Sequence, residues 1–116
     1  MNEIYKLLRN GADANTKDVK GYSLLMTYAS KNDTETVQIL LEFGASINDK
    51  DHLSLSALDY AIENDHLATV EVLVKNGASV TNDSYMFAVR KNAKNIVDFF
   101  DSLDPDKYVF LKNKKR

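Results

Sequence analysis

The chain has 116 residues, 44% of them hydrophobic and 28% charged, with a net charge of −2 at neutral pH. That length and balance suit one globular domain; no apolar run approaches the ~18 residues of a membrane span, and the charge lacks the basic footprint of a dedicated nucleic-acid binder. With no cysteine present, disulfides, thiolate zinc sites and cysteine nucleophiles are all excluded.

The N-terminal stretch carries Glu3 early and no apolar core of a secretory signal. Together with the missing cysteines, this points to a cytoplasmic setting. The first predicted element is a helix over about Asn2 to Asn10, with Ile4, Leu7 and Leu8 on one stripe. Gly11 ends it, since helices often close through a left-handed residue. Asn15 then suits a turn, and Ser23 is placed to cap the next helix. A second helix is expected to begin near Asp33 and to carry Val37, Ile39, Leu40, Leu41 and Phe43 over a wide arc. A lone amphipathic helix needs one apolar stripe; a helix held between neighbours needs both flanks.

The pattern then returns. Gly11-Ala12, Gly44-Ala45 and Gly77-Ala78 recur every 33 residues, Lys17-Asp18 returns as Lys50-Asp51, and Ser23 returns as Ser56. The stripe Val37/Leu40/Leu41 returns as Val70/Leu73/Val74, again at 33. Asp65 is expected to start the second helix of this unit, as Asp33 does in the one before. After Gly77 the period breaks: Val97 and Phe100 follow Val70 and Leu73 by 27 residues, not 33. The six missing residues are those of the extended loop. Asp83 to Leu103 is therefore expected to form a terminal cap, because end repeats of solenoids are atypical. Pro105 stops the last helix, and Tyr108-Val109-Phe110-Leu111 is an apolar run able to fold back over the open end. Lys112 to Arg116 brings four positive charges, read as a solvated end.

A helix–turn–helix unit closed by Gly-Ala and followed by an extended loop, at a period of 33, resembles the ankyrin-repeat family. The family's Thr-Pro-Leu-His-x-Ala-Ala signature is present in altered form as Ser23 to Ala29 and as Ser56 to Ile62. Its proline and histidine are missing from both. The resemblance covers residues 2 to about 103. It implies an all-α, ankyrin-repeat solenoid of stacked helix–turn–helix units with short finger loops. Two full central repeats would be flanked by a half repeat and a degenerate C-terminal cap. The units fall at about 2–15, 16–48, 49–81 and 82–104, with 105–116 as a tail, all in one domain.

Members of this family generally bind protein through finger tips and the concave face of the first helices. Matched position by position, the resemblance assigns that role to Val19, Lys20, Tyr22, Ser30 and Lys31 in one unit. It assigns His52, Leu53, Leu55, Glu63 and Asn64 in the next, with Arg90 and Lys91 extending the groove. Val19, Tyr22, Leu53 and Leu55 are apolar at positions expected to face outward, the mark of an interaction surface. The alternative is that Leu53 and Leu55 tuck beneath the neighbouring loop.

Enzyme chemistry finds no support. The two histidines, His52 and His66, lie 14 residues apart with no partner at ligand spacing. The resemblance makes His66 a turn residue and puts His52 on a finger. Asn48-Asp49-Lys50-Asp51 looks like the start of a calcium loop, but the sixth position from Asp49 is Ser54 and the twelfth is Tyr60, where glycine and glutamate are required. No nucleophile elbow or phosphate-binding loop is present. The expectation is a non-enzymatic protein-binding module without cofactor or metal, monomeric in preference to oligomeric. A specific inhibitor of an enzyme or toxin is one variant, suggested by a chain with no room for an effector domain. A structural role, with repeats assembling end to end, is the alternative from a different class.

Overall fold

The computed structural model describes residues 2–108. Among these the secondary structure is seven helices, with one isolated antiparallel bridge between Lys17 and Ser23. The apolar run beyond Tyr108 and the basic run from Lys112 lie outside the described residues.

α1 (Glu3–Arg9) starts on Asn2, whose side-chain oxygen accepts from the amides of Ile4 and Tyr5. It closes when the amide of Gly11 donates to Leu8 and that of Ala12 to Leu7. This paired closure needs a left-handed residue, and Gly11 provides it at φ 100°. α3 (Thr34–Glu42) closes with the same two bonds at Gly44-Ala45, and α5 (Leu67–Lys75) at Gly77-Ala78. The period read in the letters is therefore repeated in the hydrogen bonds.

α2 (Leu24–Ser30) and α4 (Ala57–Glu63) start on Ser23 and Ser56, whose hydroxyls accept from the amides of Met26 and Asp59. Met26 and Asp59 stand where the family signature has histidine. Asp59 compensates by accepting from the Ser56 amide at 2.9 Å, closing a capping box. The turns between paired helices pass through Asn32 and Asp65 at φ 59° and 57°. Here one expectation fails. Asp65 occupies the left-handed turn and does not start α5; the cap position is His66, without a side-chain cap bond. Asp33 does cap α3, accepting from the Thr36 amide and hydroxyl. Thirty-three residues after Asp33 stands His66, so matching the two acids by type rather than by offset misplaced the second.

α2, α4 and α6 (Asn82–Arg90) pack side by side in one layer, and α1, α3, α5 and α7 (Lys94–Asp101) form the other. Between the layers lie Leu25, Met26, Leu40, Ile62, Leu73, Ile96 and Phe100, all fully buried. The overall extents, 51 × 26 × 21 Å, are those of a short stack. Thr81, at the repeat position of Asn15 and Asn48, here caps α6 directly and accepts from the Ser84 amide. No finger precedes α6, and the helix begins two residues earlier in the repeat than α4 does.

Each end of the stack lacks a neighbour, and the side chains record it. Leu7 is 55% exposed, although its repeat equivalents Leu40 and Leu73 are fully buried. Val89 is 44% exposed, although Ile62 at the matching place in α4 is fully buried. Tyr108, half-buried, packs against the core near the C-terminal end.

Candidate protein-binding face

Each finger is built around one aspartate. In the first, the Asp18 carboxylate accepts from the amides of Lys20 at 2.9 Å and Tyr22 at 3.0 Å, while its own amide donates to the Tyr22 carbonyl. In the second, Asp51 accepts from Leu53 at 2.9 Å and Leu55 at 3.0 Å and donates to the Leu55 carbonyl. The carboxylate thus satisfies amides that a tight hairpin turns inward, as aspartate does in turns generally. Sequence reasoning did not assign either aspartate a role, although the recurrence of Lys17-Asp18 as Lys50-Asp51 was the available signal.

The fingers are tied to each other. The His52 amide donates to the Lys20 carbonyl at 2.9 Å, and Lys17 pairs with Asp49 at 2.9 Å. At the finger bases, Asn15 accepts from the Ser46 amide and Asn48 from the Ser79 amide. A further tie joins the helix turns: His66 Nε2 lies 2.9 Å from the Ser30 carbonyl of the preceding unit. His66 is thus a cross-unit clasp as well as a turn residue.

The twelve residues singled out from the sequence divide by burial. Val19 and Leu53 stand at the tips of the two fingers, one residue apart in the repeat register, and are 90% and 75% exposed. Lys20 and His52 beside them are exposed too. Tyr22 and Leu55 are half-buried, contrary to their expected outward placement. Tyr22 meets the ring of Tyr60 edge-on with centroids 5.2 Å apart, and its hydroxyl reaches Ser30 at 3.2 Å. These inward contacts join finger one to α2 and α4. Ser30, Glu63 and Arg90 hold matching positions at the ends of α2, α4 and α6, followed by Lys31, Asn64 and Lys91. All of these except Ser30 are exposed, and the Asn64 amide folds back onto the Tyr60 carbonyl. Lys31 lies over the Tyr28 ring, and Arg90 and Lys91 over that of Phe87. Across the twelve, four cationic side chains face one carboxylate, although the whole chain is slightly acidic. Helix C-termini attract cations in any case.

The buried end of finger two is an ionisable pair. Tyr60 donates its hydroxyl to the second oxygen of Asp51. Burial pushes the Asp51 carboxyl up. The Tyr60 hydroxyl, the Leu55 and Leu53 amides and the charge of His52 outweigh it, holding the carboxyl below its ordinary 3.8. Burial first, then the bond to Asp51 and its charge, push the Tyr60 hydroxyl well above its ordinary 10.0. Tyr85 is raised as well, first by its 2.8 Å bond to Asp101 and then by burial. The signs set two limits on stability. A depressed acid stabilises the fold above its unfolded value, so the Asp51 contribution is present above about pH 3.8 and lost as pH falls through its folded value. The raised tyrosines stabilise it below pH 10.0 and lose that contribution as pH rises through their folded values. Urea unfolding followed across pH is therefore expected to show a plateau flanked by an acid and an alkaline decline. Tyr60→Phe is expected to shrink both limbs, leaving the alkaline remainder to Tyr85 and the acid remainder to the finger amides that still hold Asp51. Unchanged limbs in that variant would refute the assignment.

Among the described residues, no helix is long and apolar enough to cross a membrane, and no group of three or more side chains is placed to hold a metal ion. The surface is instead an array of rigid fingers beside a row of helix ends. A search of curated proteins finds no match to the chain. A family profile described as ankyrin repeats, in three copies, matches residues 1–84. With that match covering most of the sequence, and with capped helix pairs, Gly-Ala closures and linked fingers in the structure, the chain belongs to the ankyrin-repeat family.

Proposed function

We propose that the chain is a non-enzymatic module that binds another protein through its finger tips and the adjoining helix ends. Ankyrin repeats are generally protein–protein interaction modules, and this family is typically non-enzymatic. The observation that carries the reading is the pair Val19 and Leu53. Two apolar side chains, 90% and 75% exposed, stand on hairpins whose backbones are fixed by Asp18 and Asp51. A rigid apolar anchor loses little freedom on binding, so more of its burial appears as affinity. Lys20, Lys31, Arg90 and Lys91 flank the tips, which suits a partner with an apolar contact patch rimmed by acidic groups.

The test is a Val19→Glu/Leu53→Glu variant in affinity capture from cells that express the protein, beside wild type. Both positions are open to solvent, so circular dichroism is expected to show an unchanged fold. Tyr22 and Leu55 are left intact because their packing would confound the result. Loss of a captured partner by at least about tenfold is expected from removing two anchors. Full retention by the folded variant would overturn the tip assignment. End-to-end assembly is the competing reading, motivated by Leu7 and Val89 at the two ends. A mass that grows with concentration in sedimentation equilibrium, and falls back in Leu7→Glu/Val89→Glu, would favour it over the proposal.

A further inference from the structure

The missing third finger leaves a gap, and the face of finger two that borders it is the same face by which finger one holds finger two. On finger one, the Lys20 carbonyl accepts the His52 amide and Lys17 pairs with Asp49. The two contacts are three residues apart on each side, so the segments run in the same direction. Gly21 shows how close they lie. A Cβ there would stand 3.1 Å from His52 Cδ2 and 3.3 Å from Asp51 Cα. On finger two the equivalents are Leu53, Lys50 and Ser54. Among the described residues, no hydrogen bond reaches the Leu53 carbonyl and Lys50 has no ion pair. Ser54 keeps the left-handed turn, at φ 64°, yet carries a side chain, because no following finger collides with it. Beyond lies a cleft of about 570 Å³, with Lys50, Ser54 and Leu55 on the finger side and Asp83, Phe87 and Arg90 on α6. Asp59 and Asp83 balance Arg90 and Lys50 across the lining, but the Asp59 carboxylate is engaged by Ser56 and, among the described residues, no carboxylate pairs with Lys50.

We propose that this notch docks an extended segment of a partner polypeptide. The segment donates a backbone amide to the Leu53 carbonyl and presents a carboxylate to Lys50 from three residues earlier. The occupant is specified by the interface that the notch continues: one repeat earlier, the equivalent surface already holds an extended segment with that spacing of carboxylate and amide. Backbone pairing to an open edge is a general mode of peptide recognition. Leu55 and Phe87 provide apolar contact for a side chain on the inward side of the segment. The inference shares with the proposed function a polypeptide ligand and the surroundings of Leu53 and Arg90, but it uses the Leu53 backbone carbonyl where the tip reading uses its side chain. It is read at Lys50 and Leu53 in a direct titration, so failure here leaves the tip test standing.

The probe is a capped synthetic peptide with the sequence of residues 48–56, the chain's own second finger, titrated into ¹⁵N-labelled full-length protein. Saturable shifts are expected at Lys50, Leu53, Ser54, Phe87 and Arg90 at millimolar peptide. Methylating the peptide amide equivalent to His52 removes the donor and is expected to weaken binding about tenfold. Lys50→Ala, at an exposed side chain, is expected to weaken it about threefold. No saturable shift at millimolar peptide, shifts confined to the outer edge of finger one, or equal affinity of the methylated peptide would each overturn the proposal.

Discussion

Asp51→Ala is expected to lower the thermal midpoint by roughly 12 °C, from a loss of about 3 kcal/mol, whereas Asp18→Ala costs about 1 kcal/mol or less. Both aspartates accept from two finger amides with nearly the same geometry. They differ in what surrounds them. Asp51 is buried and takes a third bond, from Tyr60. Asp18 is exposed, and the residue at the Tyr60 position is Thr27, whose hydroxyl turns to the Ser23 carbonyl. Without Asp18, water reaches the freed amides. Without Asp51, the Tyr60 hydroxyl and two amides lose their acceptor where water enters poorly, and an unsatisfied buried group is more damaging than a lost bond is valuable. Tyr60→Phe, which removes only the third bond, is expected to fall between them at about 1–2 kcal/mol. Thermal melts of the three variants check the order, and equal losses at Asp18 and Asp51 would show that Tyr60 contributes nothing beyond the hairpin.

That asymmetry also marks where sequence reading stops. Helix positions and the missing finger were legible because they rest on local chemistry: apolar spacing, serine caps, Gly-Ala closures and a period that drops from 33 to 27. The roles of Tyr22 and Leu55 were not. Each is an apolar residue on a loop, and its half-buried state depends on what lies across the fold. For Tyr22 that is the ring of Tyr60, 38 residues away. No local pattern reports such a meeting. Asp65 illustrates the opposite error, in which a plausible local rule, acid near a helix start, displaced the stricter rule of the repeat offset. Val19 and Leu53 are open because they cap hairpins beyond the reach of any neighbour. For the proposed binding face, the sequence supplied positions through family resemblance. The structure adds which of them are free to touch something else.

Truncating one repeat position along the stack is expected to give very different results. Leu73→Ala should cost about 3 kcal/mol or more, since Leu73 is fully buried between the layers and its loss leaves a cavity. Leu7→Ala, at the equivalent position, should cost about 0.5 kcal/mol, because Leu7 is 55% exposed on a helix that has no inner helix of its own unit before it. Alanine's higher helix propensity offsets part even of that. The larger loss should not spread evenly. In a solenoid each unit is held only by its neighbours, and α6 and α7 attach to the stack through α4 and α5. Weakening α5 therefore lowers the free energy needed to open the C-terminal pair more than that needed to open α1 and α3. Hydrogen exchange in Leu73→Ala should show the amides of α6 and α7 accelerated beyond those of α3. Uniform acceleration across all helices would mean that these few units unfold as one, with coupling between neighbours stronger than the stability of any single pair.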